Sequence, residues 1–187
     1  MTYKSNSLIP PHGGYRNLKS FQMSEIVYNY TVEFCKSYMT YKTNKSYRTY
    51  DQMIQAARSG KQNIAEASQA SGTSKKTELK LMSVARASLE ELLQDYQDFL
   101  RQNKLRVWAK DSVQARQTRA LAYRSNRSYT TYSSYLSSPE NAANCAICLI
   151  HQANYLLDRQ LHSLAQAFLE KGGFTERLYR KRKENRD

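Results

Sequence analysis

Cysteine, proline and glycine are scarce: a chain of 187 residues contains 3 Cys, 3 Pro and 6 Gly. Three thiols (Cys35, Cys145 and Cys148) cannot make a disulfide scaffold, and the odd number fits a reducing compartment. So little proline and glycine excludes a loop-rich sandwich and a linker-like disordered protein. No apolar run reaches the roughly 18 residues that a spanning helix needs, so no membrane segment is expected. Met1 to Pro11 has no apolar centre of the secretory-signal kind, and the expected location is the cytoplasm. No segment joins period-two alternation to β-branched enrichment, so no strand is expected. A glycine-rich phosphate loop is missing as well. Gly60 and Gly72 stand alone, and no Gly-Lys-Ser/Thr element exists. No histidine has an acid and a hydroxyl in a recognisable nucleophile arrangement, so neither an enzyme nor a cofactor is expected. Acid is the other shortage. The 29 Lys+Arg face 16 Asp+Glu, leaving a formal charge of +13 that favours nucleic acid, anionic surfaces or acidic proteins as partners.

What the chain does have is helical periodicity, at a length that suits one domain. Met1 to Leu18, with Pro10-Pro11 and Gly13-Gly14, reads as an extended arm. Ser20 or Ser24 opens a first helix (about 20–40) in which Val27, Tyr30, Phe34 and Tyr38 form one stripe. The polar run Tyr41 to Arg48 interrupts it. Thr49-Tyr50-Asp51-Gln52 has the form of a capping box for a second helix (49–70), whose inner face carries Met53, Ala57, Ile64 and Ala67. Ser71-Gly72-Thr73-Ser74 is a turn with a hydroxyl cap for a third helix (74–103). There Met82, Ala85, Leu89, Leu92, Tyr96 and Phe99 alternate spacings of three and four. Ser138-Pro139 starts a fourth (139–171) with Ala143, Ile147, Ile150, Asn154, Leu157, Leu161, Leu164 and Phe168 in the same alternation, and Gly172-Gly173 stops it. The fold class expected is all-α: an antiparallel four-helix bundle.

Two segments fall outside that pattern. Between Arg101 and Ser137, eight Lys/Arg (Arg101, Lys104, Arg106, Lys110, Arg116, Arg119, Arg124 and Arg127) face Asp111 alone, a net of +7. Asp111 to Tyr123 fits a short helix, and Trp108 is placed to anchor the insert to the bundle. A Tyr-rich run follows, with Tyr129, Tyr132 and Tyr135 available for stacking on unpaired bases beside guanidinium groups for phosphates. The plainer alternative, weighted equally, is a surface loop whose rings pack on the bundle or on a neighbouring subunit. Neither segment buries much apolar surface by itself. Lys171 to Asp187 is a basic tail with seven Lys/Arg against three acids, among them Arg180, Lys181, Arg182 and Lys183. The remainder of the chain carries only +2, and Ser138 to Glu170 has one Arg against three acids.

Other constellations read more plainly. Cys145, Cys148 and His151 lie at i, i+3 and i+6, but zinc needs a further ligand, and the preferred reading is two core thiols and a polar surface residue. No metal is expected. The acidic pairs Glu90-Glu91 and Asp95-Asp98 fit a solvated helix face with local ion pairs. Asn154 interrupts the seam, as a register-setting polar residue does. Gly60 costs about 1 kcal/mol in helix propensity, which close approach of another helix would explain.

Asp51 to Glu66, with its Asn63-Ile64-Ala65-Glu66 element, and Ser83 to Leu92, with its Ser88-Leu89-Glu90-Glu91-Leu92 element, resemble one bacterial family. It comprises the four-helix-bundle proteins first noticed as reading frames in intervening sequences of 23S ribosomal RNA genes. Its suffix-bearing branch carries a C-terminal segment that Gly172 to Arg186 resembles. Two positions depart from the pattern: Gly60 stands where the family has an aliphatic residue, and Ala67 where it has glycine. The resemblance implies an all-helical protomer without catalytic residues, assembled as a ring-forming homo-oligomer in which a pentamer is favoured. Related bundles are accessory variability proteins of diversity-generating retroelements, which bind a reverse transcriptase and its template RNA through a basic surface.

The expectation is thus a non-enzymatic protein that binds RNA, with DNA as a lesser possibility, and a reverse transcriptase partner. The nucleic-acid-binding residues expected are Lys104, Arg106, Lys110, Arg116, Arg119, Tyr123, Arg124, Arg127, Tyr129, Tyr132, Arg180, Lys181, Arg182 and Lys183. The alternative is an oligomeric scaffold docking an acidic protein partner without nucleic acid. No membrane partner is expected, because no helix pairs a basic face with a broad apolar one.

Overall fold

The structure, a computed structural model, describes residues 8–39 and 44–186, and for 44–47 the backbone alone. The described residues are helical throughout their regular parts, with no strand among them. Six α-helices follow one another: α1 (Lys19–Tyr38), α2 (Asn44–Ala70), α3 (Lys75–Gln102), α4 (Val113–Ala120), α5 (Pro139–Lys171) and α6 (Phe174–Glu184). Short 3-10 segments lie at Tyr15–Asn17, Leu121–Tyr123 and Tyr129–Ser137. The start of the arm (1–7) and the first part of the Tyr41 to Arg48 break lie outside the described residues.

Local chemistry sets most of these boundaries. Ser74 Oγ accepts the Thr77 N–H at 3.1 Å and opens α3. Ser112 does the same for α4, accepting from Ala115 at 3.2 Å. Ser138 accepts from Asn141 at 3.3 Å, with Pro139 in the first turn of α5 where its missing N–H costs nothing. Gly172 ends α5 at φ +67°, a backbone setting that favours glycine. Two starts differ from expectation. Leu18, not Ser20 or Ser24, precedes α1, and both serines are buried inside it, Ser20 donating to Gln160 Oε1 at 2.6 Å. Thr49 to Gln52 lies within α2, because the helix begins at Asn44. The tail is also more regular than expected. Glu176 accepts the Gly173 N–H at 2.8 Å and nucleates α6.

The four long helices pack in a closed cycle: α1 on α2, α2 on α3, α3 on α5 and α5 on α1. Their inner faces supply Met23, Tyr30, Phe34, Met53, Ile64, Met82, Leu89, Leu92 and Leu100, all buried. Each such side chain contributes about 1.5–3 kcal/mol by leaving water. At Gly60 α2 and α3 approach closely, since a Cβ built there would lie 2.6 Å from Leu89 Cδ2.

One helix has no wet side at first. Every residue from Ala142 to Ile150 is buried, so the early turns of α5 are covered all round. A helix that is apolar on every face needs such a cover. Helices α1 and α3 provide one half of it, α4 and the Tyr129–Ser137 stretch the other. The insert is therefore part of the core shell, with Tyr132 packed on the bundle as the plainer reading of the Tyr-rich run has it. It needs no core of its own because α5 offers it an apolar back. Beyond Leu157 the cover ends. Leu161, Leu164 and Phe168 are half-buried, and Leu169 is 85% exposed.

Candidate nucleic-acid interface

Asn144, buried on α5, fastens the start of the insert. Its Oδ1 accepts the Trp108 N–H at 2.7 Å, while its Nδ2 donates to the Arg106 carbonyl at 2.8 Å and to the Glu140 carbonyl at 2.9 Å. The Arg106 N–H bonds the Glu140 carboxylate at 3.2 Å. An amide that both accepts from and donates to a peptide holds it as a neighbouring strand would. Trp108 then meets the Tyr135 ring edge-on at 6.0 Å, a contact inside the insert, so its link to the bundle is the backbone N–H on Asn144. Farther on, Gln152 of α5 donates to the Arg119 carbonyl at the end of α4, at 3.2 Å. The insert closes with the Tyr38 hydroxyl donating to the Leu136 carbonyl.

This fastening decides which predicted residues reach solvent. Lys104, Arg106, Lys110, Arg116 and Arg124 are exposed, and Arg119 and Arg127 half-exposed. Among the described residues, no carboxylate lies within ion-pair distance of any of these seven cations; Arg101 alone of the segment pairs, with Asp98 at 2.6 Å. Arg119 instead donates to the Lys110 carbonyl at 2.7 Å. Tyr123 is 90% exposed, on the turn between Arg119 and Arg124. Tyr129 is half-buried.

Tyr132 has to be withdrawn from the candidate set. It is fully buried against the core, and burial, with Cys145 beside it, pushes its phenol up to about 12. No ring face is left for a base, because the apolar back of α5 has taken it. Tyr135 is likewise occupied by Trp108.

In the tail, Arg180, Arg182 and Lys183 are exposed and Lys181 is half-buried. Arg180 donates to the Lys171 carbonyl at 3.1 Å, and Arg177 to the Gly72 carbonyl at 3.3 Å, which ties α6 to the α2–α3 turn. The insert and the tail are not brought together. Asn144 and Gln152 hold the insert over the first part of α5, whereas α6 leaves its far end. Gln152 and Lys171 are separated by about 28 Å of helix axis.

The other constellations offer no reactive group. Cys145 and Cys148 are buried while His151 is exposed, so the three share no pocket. Burial pushes the Cys35 thiol up to about 12, with Asp95 adding to it, and raises Cys145 and Cys148 too, which keeps all three protonated. Among the described residues, no group of three or more His, Cys, Asp and Glu could hold a metal ion. Among the described residues, no helix is long and apolar enough to cross a membrane. On α3 the acidic pairs separate by role. Glu90 pairs with Arg86 at 2.7 Å, and Arg86 reaches Asp158 of α5 at 3.0 Å. Asp95 has no such partner. Burial, then Glu91 and Asp98, push its carboxyl up to about 6. Asn154 is 4% exposed, and its Nδ2 donates to Glu90 at 3.4 Å while its Oδ1 has no partner.

Sequence reasoning missed Asn144 and Gln152, the two amides that seat the insert. The signal was present. Ala142 to Ile150 is almost continuously apolar, and a polar residue inside such a run needs a partner from outside the helix. The chain matches no protein-family model, no curated protein and no solved structure in the comparisons made.

Proposed function

We propose that this protein is a non-enzymatic RNA-binding accessory protein, a four-helix bundle of the intervening-sequence type. Its partner would be the reverse transcriptase of a diversity-generating retroelement, and its working form a ring-like homo-oligomer, with five subunits favoured. One observation carries the RNA-binding part: seven cations from Lys104 to Arg127 have no carboxylate partner among the described residues, and the same segment holds the exposed Tyr123 ring on the turn between Arg119 and Arg124. A field of unpaired cations on an ordered segment, with one free aromatic face, suits phosphates and an unstacked base. The exposed tail cations Arg180, Arg182 and Lys183 extend the charge at the other end of α5.

The scaffold reading keeps one specific support. Tyr132 and Tyr135 are occupied, so fewer rings are left for bases than the sequence promised, and a fixed cationic array also suits an acidic protein surface. Arg116→Glu/Arg124→Glu separates the two in a gel shift with single-stranded RNA. RNA binding by the wild type, lost in the variant and competed by unlabelled RNA, supports the first reading. A wild type that neither shifts RNA nor copurifies with it supports the second. Light scattering on the purified protein tests the ring, for which a mass of five protomers is expected.

A further inference from the structure

Between the early turns of α1 and the loop after α4 lies a cleft of about 360 Å³. Gln22, Glu25 and Asn29 form its α1 wall, and Arg124, Arg127 and Tyr129 stand on the loop side. Its volume is in the range of sites that hold small ligands.

The loop wall carries donors without acceptors. Arg127 is half-buried, with its Nε shut off from solvent and without a hydrogen-bond partner. Its outer guanidinium nitrogens make no hydrogen bond among the described residues, and neither Arg124 nor Arg127 has a carboxylate within 4 Å. Packing, not an ion pair, therefore holds Arg127 at the cleft. Asn126 sits between the two arginines at φ +54°, a setting most side chains avoid, and Asn adopts more readily than most. The backbone N–H groups of Ser125, Asn126 and Arg127 make no hydrogen bond within the described chain. The outer guanidinium nitrogens and these N–H groups have no acceptor within the described chain, and an oxyanion in the cleft would supply one.

The opposite wall narrows the choice. Among the described residues Glu25 has no ion pair, so two guanidinium groups and one carboxylate line the cleft. A terminal phosphate monoester, with three free oxygens, can accept from both guanidinium groups at once more fully than an internal diester with two. A longer polyphosphate would press its added charge on Glu25. Tyr129 offers a ring beside the arginines, and Gln22 and Asn29 offer amides that both donate and accept.

We propose that this cleft binds the 5′-monophosphate end of an RNA strand, with the phosphate on Arg124 and Arg127 and the terminal base against Tyr129. The proposal deepens the RNA-binding reading and rests on it. Its test is fluorescence anisotropy of the full chain with one short single-stranded RNA made with a 5′-hydroxyl, a 5′-monophosphate or a 5′-triphosphate end. The monophosphate end should bind about tenfold more tightly than the hydroxyl end, in line with charge-assisted hydrogen bonds. The triphosphate should gain nothing further, except in Glu25→Gln, where it should. Arg124→Gln removes the monophosphate advantage. Arg127→Met also removes it without lowering the melting temperature, since it takes away a buried N–H that has no partner.

Equal binding of hydroxyl and monophosphate ends overturns the pocket and leaves RNA binding by the insert intact. If no RNA binds, the RNA reading fails, and calorimetry with adenosine 5′-monophosphate decides the cleft alone. Heat that disappears in Arg124→Gln supports a nucleotide-phosphate site, and no heat overturns it.

Discussion

Gly60 shows how a single hydrogen in place of a methyl group decides a helix contact. Alanine there would gain about 1 kcal/mol of helix propensity. Its Cβ would, however, fall 2.6 Å from Leu89 Cδ2 and 2.8 Å from Leu89 Cγ, and Leu89 is fully buried, so it would have to shift within the packed core. Overpacking of that kind costs about 1–3 kcal/mol. Gly60→Ala is therefore expected to lower stability by about 1 kcal/mol in urea denaturation, opposite in sign to the propensity change. Asp95 makes the converse case. Its native carboxyl titrates near 6, against 3.8 ordinarily, so between those values the folded chain binds more proton than the unfolded one. Stability from this group is present below about pH 4 and is lost as pH rises through 6. Asp95→Asn should stabilise at pH 7 by about 1 kcal/mol, discounted for its half-exposed position, and should flatten the melting temperature between pH 4 and 6. A variant as stable as wild type at pH 4 but not more stable at pH 7 would refute the assignment.

At the scale of elements, the insert is the test of what periodicity can reveal. The seams of α1, α2 and α3 were legible because Val27–Tyr30–Phe34 and Met82–Ala85–Leu89 repeat at helical spacing and face one core. Residues 121–137 were not. They form 3-10 turns without a repeat, and their burial depends on the back of α5, a partner far away in the chain. Tyr132 reads as an exposed stacking ring when only its Ser/Thr neighbours are considered, and becomes core once that back is known. The tail helix was missed because its apolar positions are few beside five cations, although Glu176 three residues after Gly173 is a capping signal. Its carboxyl accepts its own N–H and that of Gly173, which holds it below the usual range. Asn144→Ala removes three hydrogen bonds and leaves the Arg106 carbonyl and the Trp108 N–H unpaired. The expected loss is about 2–3 kcal/mol, with faster proteolysis confined to residues 104–137. Truncation after Lys171 should cost much less stability, because α6 makes few helix contacts, yet should weaken RNA binding.

The whole molecule is an electrostatic division of labour. Of the formal +13, residues 101–137 contribute +7 and residues 171–187 +4, so the rest of the chain is nearly neutral. The core therefore pays no large repulsion for the charge, which sits on segments laid along the outside of α5 and off its far end. That division was readable in the sequence as composition. That the insert is a seated layer was not, since it depends on Asn144 and Gln152 meeting backbone groups tens of residues away. It makes the cations a fixed array, and a fixed array presented to phosphates has a definite thermodynamic signature.

That signature is the salt dependence of affinity for single-stranded RNA. Each phosphate neutralised contributes a slope of about 0.7 in log affinity against log salt, so capture by Arg116, Arg119, Arg124 and Arg127 predicts a slope near −3. Neutralising Arg116 and Arg124 should bring it to about −1.5. An affinity that stays flat between low and physiological salt, or a slope that the double variant leaves unchanged, would contradict the account.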